Sequence, residues 1–454
     1  MLDKINKDLA DLFESGNNLL EKGSSTLVNS FRQAAFDEFQ KAGGVPHKKE
    51  NYKYTPLLPI FNRDYHVTLK KVECDAAISE EFNCNVTDLS TRCYVLINGR
   101  WYDESNAETP KLEKVIVCGF DEASRKYPEI FSQYYNQIST EPSADPLIAL
   151  NTAFVQDGLF VYIPSGVVLE ESLQLVNLLK AETDFMCYQR NLIVLGKNAQ
   201  ANLLVCDHVL SDNKFLYNNT TEIYLEEGAN LDFNQVQNQH LGASQINSII
   251  VKQKRDSVYN ANVISLYGGL IRNNIYANLT QSGADCNLYG LYITDGKQVV
   301  DNFTQVDHSA PNCTSRELFK GILTDNSLAN FCGSIYVRPD AQKTEAYQSN
   351  NNLLLSDDAR LNTKPQLVID ADDVKCSHGA TVGQIDEEAM FYLRSRGIGP
   401  DEARQLMMFG FAHDIIQHIK LEALRNKIDK LIENRLRGKM NNCSHCKLDC
   451  SSVV

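Results

Sequence analysis

The sequence predicts a mainly β protein, a parallel β-helix with α-helical regions at both ends, and three observations carry that expectation. From about residue 151 to residue 374 almost nothing has helical spacing, and short apolar strands alternate with Gly, Asn and Asp turns. A loose repeat runs through the stretch. Asn198-Ala199-Gln200-Ala201-Asn202 precedes one strand, Gly228-Ala229-Asn230-Leu231-Asp232 another, Gly283-Ala284-Asp285-Cys286-Asn287 a third and Asp358-Ala359-Arg360-Leu361-Asn362 a fourth. Few units carry an Asn-Gly hairpin signal, so neighbouring strands need not be antiparallel. Stacked coils fit best, because each coil buries its inner face only against its neighbours. A pair of β-sandwiches is the alternative. In a β-helix, Asn350-Asn351-Asn352 is expected to stack amides from coil to coil.

The flanking elements follow in order. Leu2, Ile5, Leu9, Leu12 and Phe13 recur at helical spacing, with a break expected at Ser15-Gly16-Asn17. Leu27, Phe31, Ala34 and Ala35 resume the period, and Gly43-Gly44-Val45-Pro46 ends it. Short strands are expected from about Tyr65 to Phe120, with a hairpin over residues 94–102 turning at Asn98-Gly99. After Gly383 the pattern is helical again. Asp386-Glu387-Glu388 suits a helix start, and Gly397-Ile398-Gly399-Pro400 stops that helix. Residues 401–419 and 421–436 read as two more helices, the last with Leu424, Ile428, Leu431 and Ile432 on one stripe. The expected organisation is a helical and mixed region over 1–150, the β-helix over 151–382, a helical domain over 383–438 and a Cys-rich tail over 439–454. The helical domain reads as a cap on the solenoid, as a docking module, or as both.

Composition narrows the function. A net charge of −14 argues against a nucleic-acid or anionic-membrane binder. No apolar run approaches the roughly 18–20 residues of a membrane helix. The start, Met1-Leu2-Asp3-Lys4-Ile5-Asn6, lacks an apolar signal core, which gives a cytoplasmic expectation. Thirteen cysteines without a scaffold rhythm read as reduced thiols. Cys187, Cys206, Cys286, Cys313 and Cys332 read as small core residues.

Two groups escape that reading. In Ala371-Asp372-Asp373-Val374-Lys375-Cys376-Ser377-His378-Gly379-Ala380-Thr381 a thiol and an imidazole lie two residues apart. On a strand Cys376 and His378 share a face, and a soft sulfur with a nitrogen makes half a site for iron, zinc or copper. The other half then comes from elsewhere, which points to a partner chain. Asp372 and Asp373 fit a turn corner as well as a transient iron contact, and His308 reads as structural. In the tail, Cys443, Cys446 and Cys450 surround His445 and could hold zinc or a cluster, although adjacent His445 and Cys446 cannot both easily ligate one ion.

These residues resemble the SufB/SufD family of the SUF iron–sulfur cluster assembly system. The resemblance rests on Gln348-Ser349-Asn350-Asn351-Asn352-Leu353-Leu354-Leu355-Ser356, Lys364-Pro365, residues 371–383 and Phe391-Tyr392-Leu393-Arg394-Ser395-Arg396-Gly397-Ile398. Gly410-Phe411, Val306-Asp307-His308, Cys313-Thr314-Ser315-Arg316, Ile163-Pro164-Ser165-Gly166-Val167 and Glu50-Asn51-Tyr52-Lys53-Tyr54-Thr55 also fit. Ser377 and Gly379 beside His378 are similar to the SufD branch, whereas the SufB branch usually has glutamates there. The resemblance implies a right-handed parallel β-helix and a non-catalytic scaffold working with one SufB and two copies of the SufC ATPase. It implies that residues 383–438 bind SufC, that the end of the β-helix pairs with SufB, and that a transient iron–sulfur cluster is shared there with His378 as a functional residue. The role of Cys376 stays open. The Cys-rich tail departs from the family pattern. Self-pairing of the isolated chain through the same edge is plausible.

No Gly-x-x-x-x-Gly-Lys-Ser/Thr loop is present, so no intrinsic nucleotide is expected. The rival readings are a polysaccharide-active β-helix enzyme, a SufB-like subunit that accepts persulfide sulfur, and a scaffold in which His378 has no chemical role. The first lacks a carboxylate and Arg/Lys cluster that could be assembled from the sequence. The second fits poorly with Ser377 and Gly379.

Overall fold

The computed structural model describes residues 1–67, 91–102, 114–137 and 145–438. Helices α1 (Leu2–Gly23), α2 (Thr26–Asn29), α3 (Arg32–Lys41) and α4 (Leu57–Phe61) come first. The hairpin β1 (Thr91–Ile97) and β2 (Arg100–Tyr102) follows, then β3 (Ile116–Gly119), α5 (Phe120–Lys126), α6 (Pro128–Tyr134) and α7 (Pro146–Phe154). The central strands are β4 (Leu159–Ile163), β5 (Ser172–Leu179), β6 (Phe185–Leu195), β7 (Gln200–Val209), β8 (Phe215–Leu225), β9 (Asn230–Asn238), β10 (Ala243–Gln253) and β11 (Val258–Tyr267). They continue as β12 (Leu270–Leu279), β13 (Asp285–Thr294), β14 (Val299–His308), β15 (Thr314–Leu323), β16 (Leu328–Val337), β17 (Thr344–Leu354), β18 (Arg360–Ile369) and β19 (Val374–Gly383). Helices α8 (Glu387–Ser395), α9 (Pro400–Ile416) and α10 (Glu422–Leu436) close the described chain.

The strands alternate between two sheets. One runs β19-β17-β15-β13-β11-β9-β7-β5-β1-β2, the other β18-β16-β14-β12-β10-β8-β6-β4-β3. From β4 onward each strand pairs in parallel with the next but one in the chain, so the fold is a β-solenoid of about eight turns. The β-sandwich alternative is therefore excluded. Coil length varies along the stack: the step from Ser244 to its partner Leu270 is shorter than the step from Leu328 to its partner Arg360.

The corners explain the repeat. Asn198, Gly228, Asp256, Gly283 and Asn312 all have positive φ, and each is a residue type that tolerates it. Gly228 sits directly over the Asn198 side chain and Gly283 over that of Asp256, so a Cβ at either glycine would collide with the corner beneath. The following Ala199, Ala229, Ala284 and Ala359 point inward and are buried.

Inward residues form the main core, from Leu159 through Val205, Ile249 and Val306 to Ala371. The expected amide stack exists, but elsewhere than expected. It runs Asn219→Asn247 (3.0 Å), Asn247→Asn273 (3.2 Å) and Asn273→Asn302 (3.0 Å), donor to acceptor, on neighbouring strands. Asn350 and Asn352 instead bond within β17, at 2.8 Å, and with Tyr292 of β13. The coil beyond β17 offers Ala380 and Val382 in register there, so the stack has no amide to continue with.

Both outer faces are covered by helices. The N-terminal helices lie on the even-numbered sheet, with Leu9, Phe13, Phe36, Phe39, Leu150 and Phe154 packed on Met186, Tyr188 and Leu216. Helix α1 is continuous, and no break occurs at Ser15-Gly16-Asn17. Gly16 is buried mid-helix, where packing outweighs its roughly 1 kcal/mol propensity cost. Gly43 and Gly44 end α3 with positive φ, and Asn98-Gly99 turns the β1–β2 hairpin with φ positive at both residues, as expected, while residues 68–90 and 103–113 of the expected short-strand stretch lie outside the described residues.

Helices α9 and α10 lie along the outer face of the odd-numbered sheet. Ala412, Ile415, Ile416, Leu424, Ile428 and Ile432 pack there on Leu204, Val236, Ile264, Leu291 and Ile322. Lys320 Nζ meets Asp414 at 2.7 Å and lies 4.4 Å from the Phe411 ring centroid, and Arg435 pairs with Asp295. They flank the solenoid, so they do not cap its end. No helix among the described residues is long and apolar enough to cross a membrane.

Candidate functional site

The last coil, β18 and β19, stacks on β16 and β17 and has no described strand on its far side. Its residues are mostly exposed, unlike those of every coil before it. The edge therefore presents a row of main-chain donors and acceptors at a spacing that another strand fits.

Cys376 and His378 lie on this edge strand. Cys376 is opposite Ala346 and His378 opposite Gln348, and both neighbours are buried and inward-facing. Period two therefore puts the thiol and the imidazole on the same, inner side of the open coil, as the spacing predicts. Cys376 is half-buried against the core with Val374, while His378 is exposed. Burial pushes the Cys376 thiol above its ordinary range, offset in part by a backbone hydrogen bond with Ala346. It is therefore mostly protonated near pH 7, and a metal would have to displace the proton before sulfur ligates.

Asp372 and Asp373 are exposed bend residues at the corner before β19. Asp373 N–H donates to Gln342 Oε1 (2.8 Å) and its carbonyl accepts from Lys343 N–H (2.6 Å), which is corner structure. His308 is fully buried inside the solenoid with Nε2 2.9 Å from Ser315 Oγ, and burial lowers its pKa to about 4. It is a neutral structural histidine. Cys187, Cys206, Cys286 and Cys313 are buried and Cys332 partly so, as core residues should be. Burial pushes the Cys187 thiol up to about 12. The tail candidates Cys443, Cys446 and Cys450 lie outside the described residues. Among the described residues no three His, Cys, Asp or Glu side chains converge as a metal cage.

Two residues behind the site have no local signal in the sequence. Glu317 of β15 and Gln348 of β17 are in register with His378 as successive members of one inward column. Each comes from a different coil, and only the coil register brings them together.

Helix α8 begins at Asp386, whose carboxylate accepts from Glu388 N–H (2.9 Å) and Ala389 N–H (3.3 Å). It buries none of its residues. Phe391 is 73% exposed, Tyr392 57% and Leu406 of α9 49%, so the helical region carries apolar surface that the described chain does not cover.

Comparison with known proteins accounts for most of the chain. Residues 3–175 match the SufBD protein N-terminal region, and residues 177–411 match the SufBD core domain of SUF system FeS cluster assembly. An iron–sulfur cluster assembly SufBD family protein of Synechocystis sp. is 31% identical, over 90% of this chain and 91% of its own length. The iron–sulfur cluster assembly protein SufD of Escherichia coli is 29% identical over 87% of this chain and 90% of its own. SufD of Bacillus subtilis is 24% identical over 71% and 74% respectively.

Proposed function

The chain belongs to the SufBD family of iron–sulfur cluster assembly proteins, and from that premise we propose that it is a SufD-type scaffold subunit. In this reading it pairs with a SufB subunit through the open β18–β19 edge, binds the SufC ATPase through α8–α10, and offers His378 to a nascent cluster held as cargo at the pairing surface. The observation that carries the reading is the placement of Cys376 and His378 side by side on the one coil that no described element of the chain covers.

The chemistry supports it. Neutral imidazole binds iron, and a shared His site releases a cluster more readily than a closed four-thiolate cage. Half a site on one edge strand and half on another forms only when the strands meet, so assembly and ligation are coupled. The exposed Phe391, Tyr392 and Leu406 offer the ATPase an apolar helix face, and the latch of Lys320 on Asp414 connects that face to the sheet. Hydrolysis belongs to the partner.

The test is co-expression with SufB and SufC, wild type beside His378→Ala, followed by anaerobic purification and iron and sulfide analysis. An intact complex that has lost both elements is the expected outcome. Equal loading in the two would reduce the chain to a structural scaffold.

A further inference from the structure

We propose that Gln348 and Glu317 are positioning residues for His378, with the Gln348 amide accepting the imidazole N–H and Glu317 fixing the orientation of that amide from the coil below. The inference rests on the reading of His378 as a cluster ligand and extends it inward.

The column is set by register. Leu288 lies opposite Glu317, Glu317 opposite Gln348, and Gln348 opposite His378. Parallel strands step by about 4.8 Å, so Gln348 is one step and Glu317 two steps beneath the histidine. Gln348 is 3% exposed and Glu317 2%. Gln348 Nε2 donates to Glu317 Oε1 at 3.1 Å, which turns the amide so that its oxygen is left over. That oxygen, Gln348 Oε1, is buried and has no hydrogen-bond donor among the described residues, and Glu317 Oε2 also lacks a well-formed bond there. Gly333 of β16 makes room for the arrangement: a Cβ there would run into the Gln348 amide.

A buried acceptor without a donor is costly, so its retention calls for a reason. The next inward residue of the column is His378. A ligating imidazole normally donates its second ring N–H to a carboxylate or a carbonyl, which fixes the tautomer and raises ligand basicity. Gln348 Oε1 is such an acceptor at the right register. In the free chain the ring stands in solvent, and covering the edge with a partner strand brings it over the column.

Glu317 adds a pH response. Burial pushes its carboxyl up to about 7, against the opposing pull of Thr304 and Gln348. The titratable neighbours inside the solenoid are His308 of β14, lowered to about 4, and Cys286 of β13, pushed well above its ordinary range, and neither changes charge between pH 5.5 and 8. Asp285 and Arg316 flank the column from the outward side of β13 and β15. Once ionised, Glu317 holds the amide N–H more strongly and polarises its carbonyl, so the acceptor offered to His378 improves as pH rises.

The experiment uses the co-expressed complex with SufB and SufC, reconstituted anaerobically with ferrous iron and sulfide from pH 5.5 to 8.5. Gln348→Leu, Glu317→Gln and His378→Ala are compared with wild type, and complex assembly is checked by size exclusion. Gln348→Leu should assemble and lose roughly 10-fold or more in iron loading. Glu317→Gln should keep the shape and lose the rise in loading centred near pH 7. If both variants load as wild type at every pH while His378→Ala stays empty, the positioning role is wrong and the ligand role survives. If His378→Ala loads normally, the ligand reading has failed and this proposal with it. Should Gln348→Leu not assemble, an unchanged pH profile in Glu317→Gln overturns the proposal by itself.

Discussion

Replacing Asp301 with Asn should destabilise the protein by about 3–5 kcal/mol, because it strands a buried cation. Arg272 and Asp301 lie on neighbouring strands of the even-numbered sheet, beneath the segment that carries Tyr52 and Thr55. Arg272 Nη1 meets Asp301 Oδ1 at 2.6 Å, and the two side chains are 0% and 3% exposed. The guanidinium also donates from Nε to Asn274 Oδ1 (2.8 Å) and stacks 4.4 Å from the Tyr52 ring centroid, and Thr55 donates to the Asp301 carboxylate. Burial alone works against the charge on Arg272, but Asp301 outweighs it and the net shift is upward. Arg272 Nη2 already lacks a partner among the described residues, so little remains to compensate the lost carboxylate. The assay is urea unfolding followed by intrinsic fluorescence, with limited proteolysis of residues 46–61 as a local readout. An exposed pair, Lys197 and Glu227 at 3.1 Å, serves as control, and Glu227→Gln should cost under about 1 kcal/mol. The double replacement Arg272→Met with Asp301→Leu should recover most of the loss, since a packed apolar pair avoids the desolvation cost. If Asp301→Asn costs no more than Glu227→Gln, the buried pair does not pin the N-terminal segment and the reasoning fails.

Two further outcomes are expected. His308 and Glu317 should tilt stability against pH in opposite directions. His308, lowered to about 4, gives stability that is present above about pH 6.5 and lost as pH falls through 4; Glu317, raised to about 7, gives stability that is present below about pH 4.5 and lost as pH rises through 7. Each is worth on the order of 3 kcal/mol over its window, so difference curves of His308→Gln and Glu317→Gln against wild type from pH 4 to 8 should slope in opposite senses, and parallel curves would refute the assignment. Asn247→Leu should cost about 3 kcal/mol by orphaning Asn219 Nδ2 and Gln235 Oε1 and removing one of the two donors to Asn273 Oδ1, whereas Asn362→Ala at the open end should cost under about 1 kcal/mol; equal urea midpoints for the two would show that the amide stack is not a stabilising element.

The solenoid is legible in the sequence because its corners are. A positive φ admits Gly, Asn or Asp, and the inward residue after it must be small, so Asn198-Ala199, Gly228-Ala229 and Gly283-Ala284 recur in recognisable form. Coil length is not legible, since it differs from one coil to the next and blurs any fixed period. The sequence misplaces the amide stack for a related reason. Stacking depends on register, so three consecutive asparagines in β17 look richer than single ones on four successive strands. Nor can the charges be sorted from sequence. Arg190, Glu222, Arg272 and Asp301 carry no local mark of burial, yet all are buried because the N-terminal segment covers that face. At the candidate site, the shared face of Cys376 and His378 is legible because period two is local. Gln348 and Glu317 lie one and two coils upstream of His378, and only the stacking of coils relates them.

The way the C-terminal helices pack bears most directly on function. A β-helix leaves an unpaired edge at each end, and soluble proteins blunt such edges with a helix, a charge or a bulge. Here α9 and α10 have the apolar surface to close the end and use it along the sheet flank instead, against Leu204, Ile264 and Ile322. The last coil is then left with exposed Val368, Ile369 and Val382, and the inner face of β19 carries Cys376 and His378 between Val374 and Val382. Such a rim does not seal the core against water. Under the proposed function it is the end that another chain completes, with the polar column beneath His378 as the floor of the joint site.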